Sequence, residues 1–346
     1  MELKNRFAIG CLVQFYEIDI VKDYLISVKN SLDIVDNKEN VIVDICFNLN
    51  QGLEQVDTNK TSIGDLRNRM RELMLEVFGY DEHWDDTIGT DYVIDYWEHD
   101  RNGGDKNGIY TIADYRREFN EKYCEKTEVL MWGESDALIP TQTWYILDGL
   151  HNSVKEDTPK YVSFFATCKM WDESWKVLEH PEFTNKPFYD SPDDFKPDEH
   201  WWSLRYTMSI DEMNSFNDKV EELDIRVLNQ HKFNGCGLVI SSEVIKSGVN
   251  IPRSVFFVHE DTAFMIMLQK LLGNIPQYVI KNMLLVHNRN NPDKRMYVKG
   301  EREDGTMNEK RRSNEWYVNA NKMSEQNCYN CTNPNYKSFT WDDVWK

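Results

Sequence analysis

The chain has 346 residues, 40% of them hydrophobic and 13% aromatic, which suffices for a large core and argues against wholesale disorder. Its formal net charge of -19 argues against general polyanion binding, which needs many phosphate-neutralising Lys and Arg. The 7 cysteines are odd in number and scattered through apolar runs, so they read as reduced thiols of a cytoplasmic protein, and no apolar run reaches the length of a membrane span.

The first element is Phe7 to Phe15, a continuous apolar run that predicts a strand buried on both faces of a parallel sheet. Gln14, Phe15, Tyr16 and Glu17 follow as its loop. A helix comes next, with Asp19 as a candidate cap and Ile20, Tyr24, Val28 and Leu32 every four residues. Val41 to Leu49 is a second strand, with Asn48 at its carboxyl end. A β-α-β opening of this kind predicts a ligand crevice beyond the strand ends. Ser62 to Phe78 reads as a helix with Leu66, Met70, Leu73, Met74 and Val77 along one stripe, ended by Gly79. Asp81 to Asp105 holds nine acids and one base and reads as a surface insertion.

Helical spacing returns from Tyr110 to Tyr123, with Ile112, Tyr115 and Phe119 inward and Arg116 and Arg117 between them. Thr127 to Trp132 predicts a strand, Gly133-Glu134-Ser135-Asp136 a turn, and Pro140 the first turn of a helix running to Leu150. Two acids at i and i+2 in a turn can both face one hard divalent ion. Tyr161 to Cys168 is another buried strand. Trp171 to Trp202, dense in Trp, Phe, Pro and Asp, reads as an irregular lid.

The stretch from Phe233 to Arg289 holds the remaining motifs. Phe233-Asn234-Gly235-Cys236-Gly237 is a glycine-rich strand start, where backbone can approach a ligand closely. Ser241 caps a short helix that Gly248 ends. Glu260-Asp261 opens a second helix, and Tyr278 to Val286 is a strand followed by His287. By itself the acid pair is explained equally well as a helix N-terminus, with Asp as cap and the dipole favouring acids.

Taken in this order, the segments resemble the GT-A-fold glycosyltransferases of the inverting, family-two-like group. The resemblance spans most of Phe7 to Arg289. It implies an α/β, Rossmann-like fold: a mixed, mostly parallel sheet flanked by helices, with the irregular lid and a C-terminal extension. Residues 1–295 would be the GT-A domain, divided into a nucleotide-binding half (1–150) and an acceptor and catalytic half (151–295), with 296–346 as the extension.

The implied activity is metal-dependent transfer of a sugar from a nucleotide-sugar donor, a UDP-sugar by expectation, to an acceptor hydroxyl. Glu134, Asp136 and His287 correspond to the site of a Mn2+ or Mg2+ ion, although Glu134 stands where the family's motif has Asp. Gln14, Tyr16, Glu17 and Asn48 correspond to the base and ribose site, where Asn48 replaces the usual acid. Arg116 or Arg117, together with Ser135, Asn234, Gly235, Arg289, Lys294 and Arg295, would line the donor. Asp261 matches the catalytic base and Glu260 the acid beside it, which orients the acceptor.

The asparagine- and lysine-rich style resembles a bacteriophage gene product acting in the host cytoplasm. Phages use such enzymes on hydroxymethylated pyrimidines of their own DNA. Lys281 to Arg312, with nine bases and five acids, is the feature that favours DNA as the acceptor; the alternatives are a glycan or protein acceptor, or a nucleotide-sugar-binding protein without catalysis.

Overall fold

The structure is a computed structural model. It describes residues 2–49, 62–81, 86–87, 90–99, 110–167, 208–228, 231, 235–255 and 259–288, with short pieces between 322 and 337. In chain order the strands are β1 (Phe7–Gln14), β2 (Val41–Asn48), β3 (Tyr80–Asp81), β4 (Asp86–Thr87), β5 (Val93–His99), β6 (Val129–Trp132), β7 (Ala137–Leu138), β8 (Val162–Thr167), β9 (Ile225–Val227), β10 (Val239–Ser241) and β11 (Gln277–His287). The helices are α1 (Val21–Asp33), α2 (Ile63–Phe78), α3 (Ile112–Tyr123), α4 (Thr143–Val154), α5 (Ile210–Asn217), α6 (Ser242–Lys246) and α7 (Glu260–Leu272).

One 9-stranded sheet carries the fold, in the order β5-β2-β1-β6-β10-β8-β11-β7, with β9 also on β11. Strands β1, β2, β5, β6, β8 and β11 run one way, and the short strands β7, β9 and β10 run against them. This is a mixed, mostly parallel α/β sheet of Rossmann-like kind. β3 and β4 form a separate antiparallel pair.

The central strands β1 and β2 are buried at nearly every position because both of their faces are covered. Phe7, Ile9, Cys11 and Val13 of β1 join the core under α1, α2 and α4. Ala8 and Leu12 point the other way, into the core under α3, α6 and α7. The α2 boundaries follow from local chemistry. The Ser62 hydroxyl accepts from the Asp65 amide at 3.0 Å, and Gly79 leaves the helix at φ 70°, where a side chain would be strained.

Two expectations need correction. Residues 81–105 are not simply a surface insertion, because Val93–His99 is the edge strand β5, paired in parallel with β2 from Ile42↔Val93 to Asn48↔His99. Its acids hid the pattern. Glu98 is neutralised by Arg67 and Arg71 at 2.8 and 2.9 Å, and Asp95 by Lys122 at 2.7 Å. The helix expected from Pro140 starts instead at Thr143, because Ala137 and Leu138 pair with β11 and the Pro140 carbonyl accepts from the Thr143 amide at 3.1 Å.

Asp44 is a buried carboxylate in the middle of β2. It accepts from the Tyr123 hydroxyl at 2.7 Å, the Tyr115 hydroxyl at 2.8 Å, Lys122 at 3.0 Å and the Trp97 indole at 3.3 Å. These bonds join β2 and β5 to α3, the helix that carries Arg116. Asp44→Asn keeps the shape but removes the charge these donors share. The expected loss is roughly 2–3 kcal/mol of unfolding free energy, read from urea denaturation; an unchanged midpoint would mean the network contributes nothing.

Candidate metal and donor site

The sheet order reverses direction on either side of β1. The chain leaves β1 for β2 and β5 on one side, while β6 lies on the other. A crevice outside the carboxyl ends of the strands at such a switch point is the usual ligand site of an open α/β sheet. β1 ends there with Gln14, β2 with Asn48, β6 with Trp132 and the Gly133–Asp136 turn, and β11 with His287.

The turn after β6 holds close to β1. The Gly133 amide donates to the Gly10 carbonyl at 2.7 Å, and a Cβ at Gly133 would stand 2.2 Å from the Tyr24 hydroxyl oxygen, so only glycine fits. This brings Glu134 and Asp136 under the end of β11. His287 Nε2 lies 3.0 Å from Glu134 Oε2 and 3.4 Å from Asp136 Oδ1. Burial works against a charged His287, but the neighbouring Cys236, Asp136 and Glu134 outweigh it and raise its pKa well above the ordinary histidine value. Burial likewise works against the Glu134 carboxylate, and the charges of His287 and Arg116 outweigh it and hold the group below the usual carboxylate range.

Arg116 sits behind this cluster with its guanidinium buried. Its Nη2 pairs with Glu134 Oε1 at 2.9 Å and donates to the Gly235 carbonyl at 3.2 Å, its Nη1 pairs with Glu260 Oε1 at 2.6 Å, and its Cζ lies 4.7 Å from the centre of the Trp132 ring. It stays charged because Glu260, Glu134 and Asp261 outweigh the penalty of burial. Glu260 is pushed up to about 7, since burial and the Asp261 charge together outweigh Arg116.

Asp261 lies against the same backbone. A Cβ on Gly235 would meet Arg116 Nη1 at 2.7 Å and Asp261 Oδ2 at 3.2 Å. The helix cap is not Asp261 but His259, which takes a left-handed φ of 62° and makes no side-chain cap bond. A bulky residue in that region is uncommon and costs roughly 1–2 kcal/mol. α7 begins directly after this residue, and its first residue, Glu260, meets Arg116. Asp261 Oδ1 accepts from the Thr262 amide at 2.7 Å.

The residues expected at the base and ribose also converge. Asn48 Nδ2 donates to Gln14 Oε1 at 3.0 Å and to the Tyr110 carbonyl at 3.0 Å. Tyr16 is buried, and Glu17 closes the turn after β1 by accepting from the Gln14 amide at 2.9 Å. Ser135 is buried in the acidic turn. Arg117, expected as an alternative to Arg116 at the donor, is drawn away from the crevice. It donates to the carbonyls of Ile251, Val255 and Pro252 at 2.9, 3.1 and 3.2 Å and pairs with Asp114 at 3.0 Å, tying α3 to the loop before α7. Asn234, Arg289, Lys294, Arg295 and the expected lid at Trp171 to Trp202 lie outside the described residues.

Cys236 is the site residue that the sequence reading left among the core thiols. Its sulfur and the ligand atoms of Glu134 and His287 all lie within 4.8 Å of one another. The signal was its place between two glycines, three residues before the strand that pairs with β6. A carboxylate, a thiol and an imidazole clustered this closely can hold a divalent ion, and the buried guanidinium behind them, paired with both Glu134 and Glu260, holds those two acids in place.

No family model matches the chain, and no curated protein does. Among solved structures, one described as "Crystal Structure of a Mycobacterial Protein" aligns at 9% identity and a TM-score of 0.40, covering 85% of this chain and 73% of its own.

Proposed function

We propose that this chain is a metal-dependent glycosyltransferase of GT-A type, moving a sugar from a nucleotide-sugar donor, UDP-linked by expectation, to an acceptor hydroxyl with inversion. The observation that carries the reading is the meeting of Glu134, Asp136 and His287 at the carboxyl ends of β6 and β11, joined through Arg116 to the acid pair that opens α7. The donor set fits a divalent cation, held by Glu134 and His287 with Asp136 beside them. Such a cation, when bound, neutralises the charge that develops on the leaving diphosphate.

The chain's own residues do the rest. Asn48 holds the Gln14 side-chain amide in place for the base and ribose. Arg116 fixes Glu134 and Glu260. Asp261 takes the proton of the acceptor hydroxyl as its oxygen attacks the anomeric carbon. The bond from that carbon to the phosphate oxygen breaks on the opposite face, and the nucleoside diphosphate leaves with the bonding electrons. The acceptor proposed is a hydroxymethylated pyrimidine of phage DNA, for which the support is the basic composition of residues 281–312.

The test is to incubate the protein with a panel of nucleotide sugars and a divalent ion and to follow nucleotide release, with and without hydroxymethylated DNA. Release from one donor is expected, abolished by chelation and stimulated by the DNA. A folded protein that neither binds nor turns over any nucleotide sugar would end the reading. Transfer to oligosaccharide alone would end the DNA assignment.

A further inference from the structure

We propose that Cys236 is a ligand of the cation, so that the site takes a borderline-soft divalent ion of the zinc or cobalt class in preference to Mn2+ or Mg2+. This deepens the metal site on which the proposed function rests, but it does not depend on glycosyl transfer.

The chemistry of the donor set carries the inference. Glu134 offers oxygen, His287 nitrogen and Cys236 sulfur, with all three ligand atoms within 4.8 Å of one another. Hard ions such as Mg2+ seek an all-oxygen octahedron, whereas thiolate and imidazole select zinc-like ions. Three protein donors with one open tetrahedral position is the pattern of catalytic zinc sites, and the open position suits a phosphate oxygen of the donor.

The position of Cys236 is fixed by backbone. The Gly237 amide donates to the Trp132 carbonyl at 3.0 Å, and the Trp132 amide to the Leu238 carbonyl at 2.9 Å. Gly237 takes φ +69°, and a Cβ there would strike Leu285 at 2.5 Å, so glycine is needed to bring the thiol beside the acidic turn. An outer partner is present as well: Arg116 holds the second oxygen of Glu134 at 2.9 Å. Asp136 stands 3.4 Å from the same His287 nitrogen that faces Glu134, so it is a further oxygen beside the ion and not an outer partner of the imidazole. A purely structural thiol would not need to sit between a carboxylate and a histidine.

The experiment uses the full chain, stripped with a chelator and titrated with Zn2+, Co2+ and Mn2+ alone. Zinc is expected to bind far more tightly than manganese, and the cobalt complex to show the near-ultraviolet charge-transfer band of a thiolate ligand. Cys236→Ser should erase the band and weaken zinc by at least the roughly 10–100-fold typical of losing an outer partner. Asp136→Asn should keep the band. The wild-type cobalt spectrum decides the question even if a variant fails to fold. Cobalt bound without the band, or manganese bound as tightly as zinc, would overturn Cys236 as ligand and leave a hard-ion transferase intact. The band without nucleotide release from any donor would uphold the thiolate site and remove the transferase reading. Failure of every ion to bind would overturn both metal assignments.

Discussion

Arg116→Met is expected to destabilise the metal-free protein by about 3–5 kcal/mol, the usual consequence of removing one partner from a buried ion pair. The side chain is nearly inaccessible and bridges two carboxylates from different parts of the chain, Glu134 at 2.9 Å and Glu260 at 2.6 Å. Without it, both acids face each other across a site from which water is largely excluded. Methionine would fill the volume but supply no donor to either acid or to the Gly235 carbonyl. Lysine would keep a charge, yet it lacks the planar fork that reaches both carboxylates and lies over Trp132, so Arg116→Lys should recover only part of the loss. Adding Glu260→Gln to Arg116→Met should restore stability relative to the single variant. Urea unfolding of the three proteins measures this, and an Arg116→Met protein as stable as wild type would show that the guanidinium is dispensable to the fold.

Asp261→Asn should leave the melting temperature and donor affinity unchanged while lowering single-turnover transfer by about 10²–10⁴-fold, the range lost with a general base. The stability half of this expectation follows from the cap geometry. His259, not Asp261, is the N-cap of α7, so no cap depends on the charge, and an asparagine oxygen can still accept from the Thr262 amide. Glu260→Gln should affect rate less, since Glu260 is engaged by Arg116. Near-normal transfer by Asp261→Asn would move the base to Glu260, whose pKa, pushed up to about 7, suits proton transfer near neutrality.

What was legible in the sequence was whatever depended on local pattern. The β1 and β2 runs are apolar at most positions and buried along nearly their whole length because α1 and α3 cover opposite faces, and that pattern marks buried parallel strands. Ser62 and Gly79 bracket α2 because a cap and a left-handed exit are local needs. β5 was hidden because the acids on an edge strand are neutralised by Arg67, Arg71 and Lys122, which lie in other elements. The site divided in the same way. The acidic turn and the terminal histidine of β11 each follow a recognisable strand. The Cys236 cluster and the double ion pair of Arg116 join the segment before β10, α3, the turn after β6 and the start of α7, which no local pattern brings together.

β10 has a consequence for how the protein is made. It is three residues long and pairs with β6 on one side and β8 on the other, although both precede it in the chain. At a synthesis rate of about 5–20 residues per second, the ribosome completes β8 several seconds before Val239 emerges. During that interval the facing edges of β6 and β8 lack the partner they will later share. An unpaired edge is a template for any passing strand. A nascent chain stalled before residue 239 is thus the species most exposed to aggregation, and a three-residue insertion closes the gap.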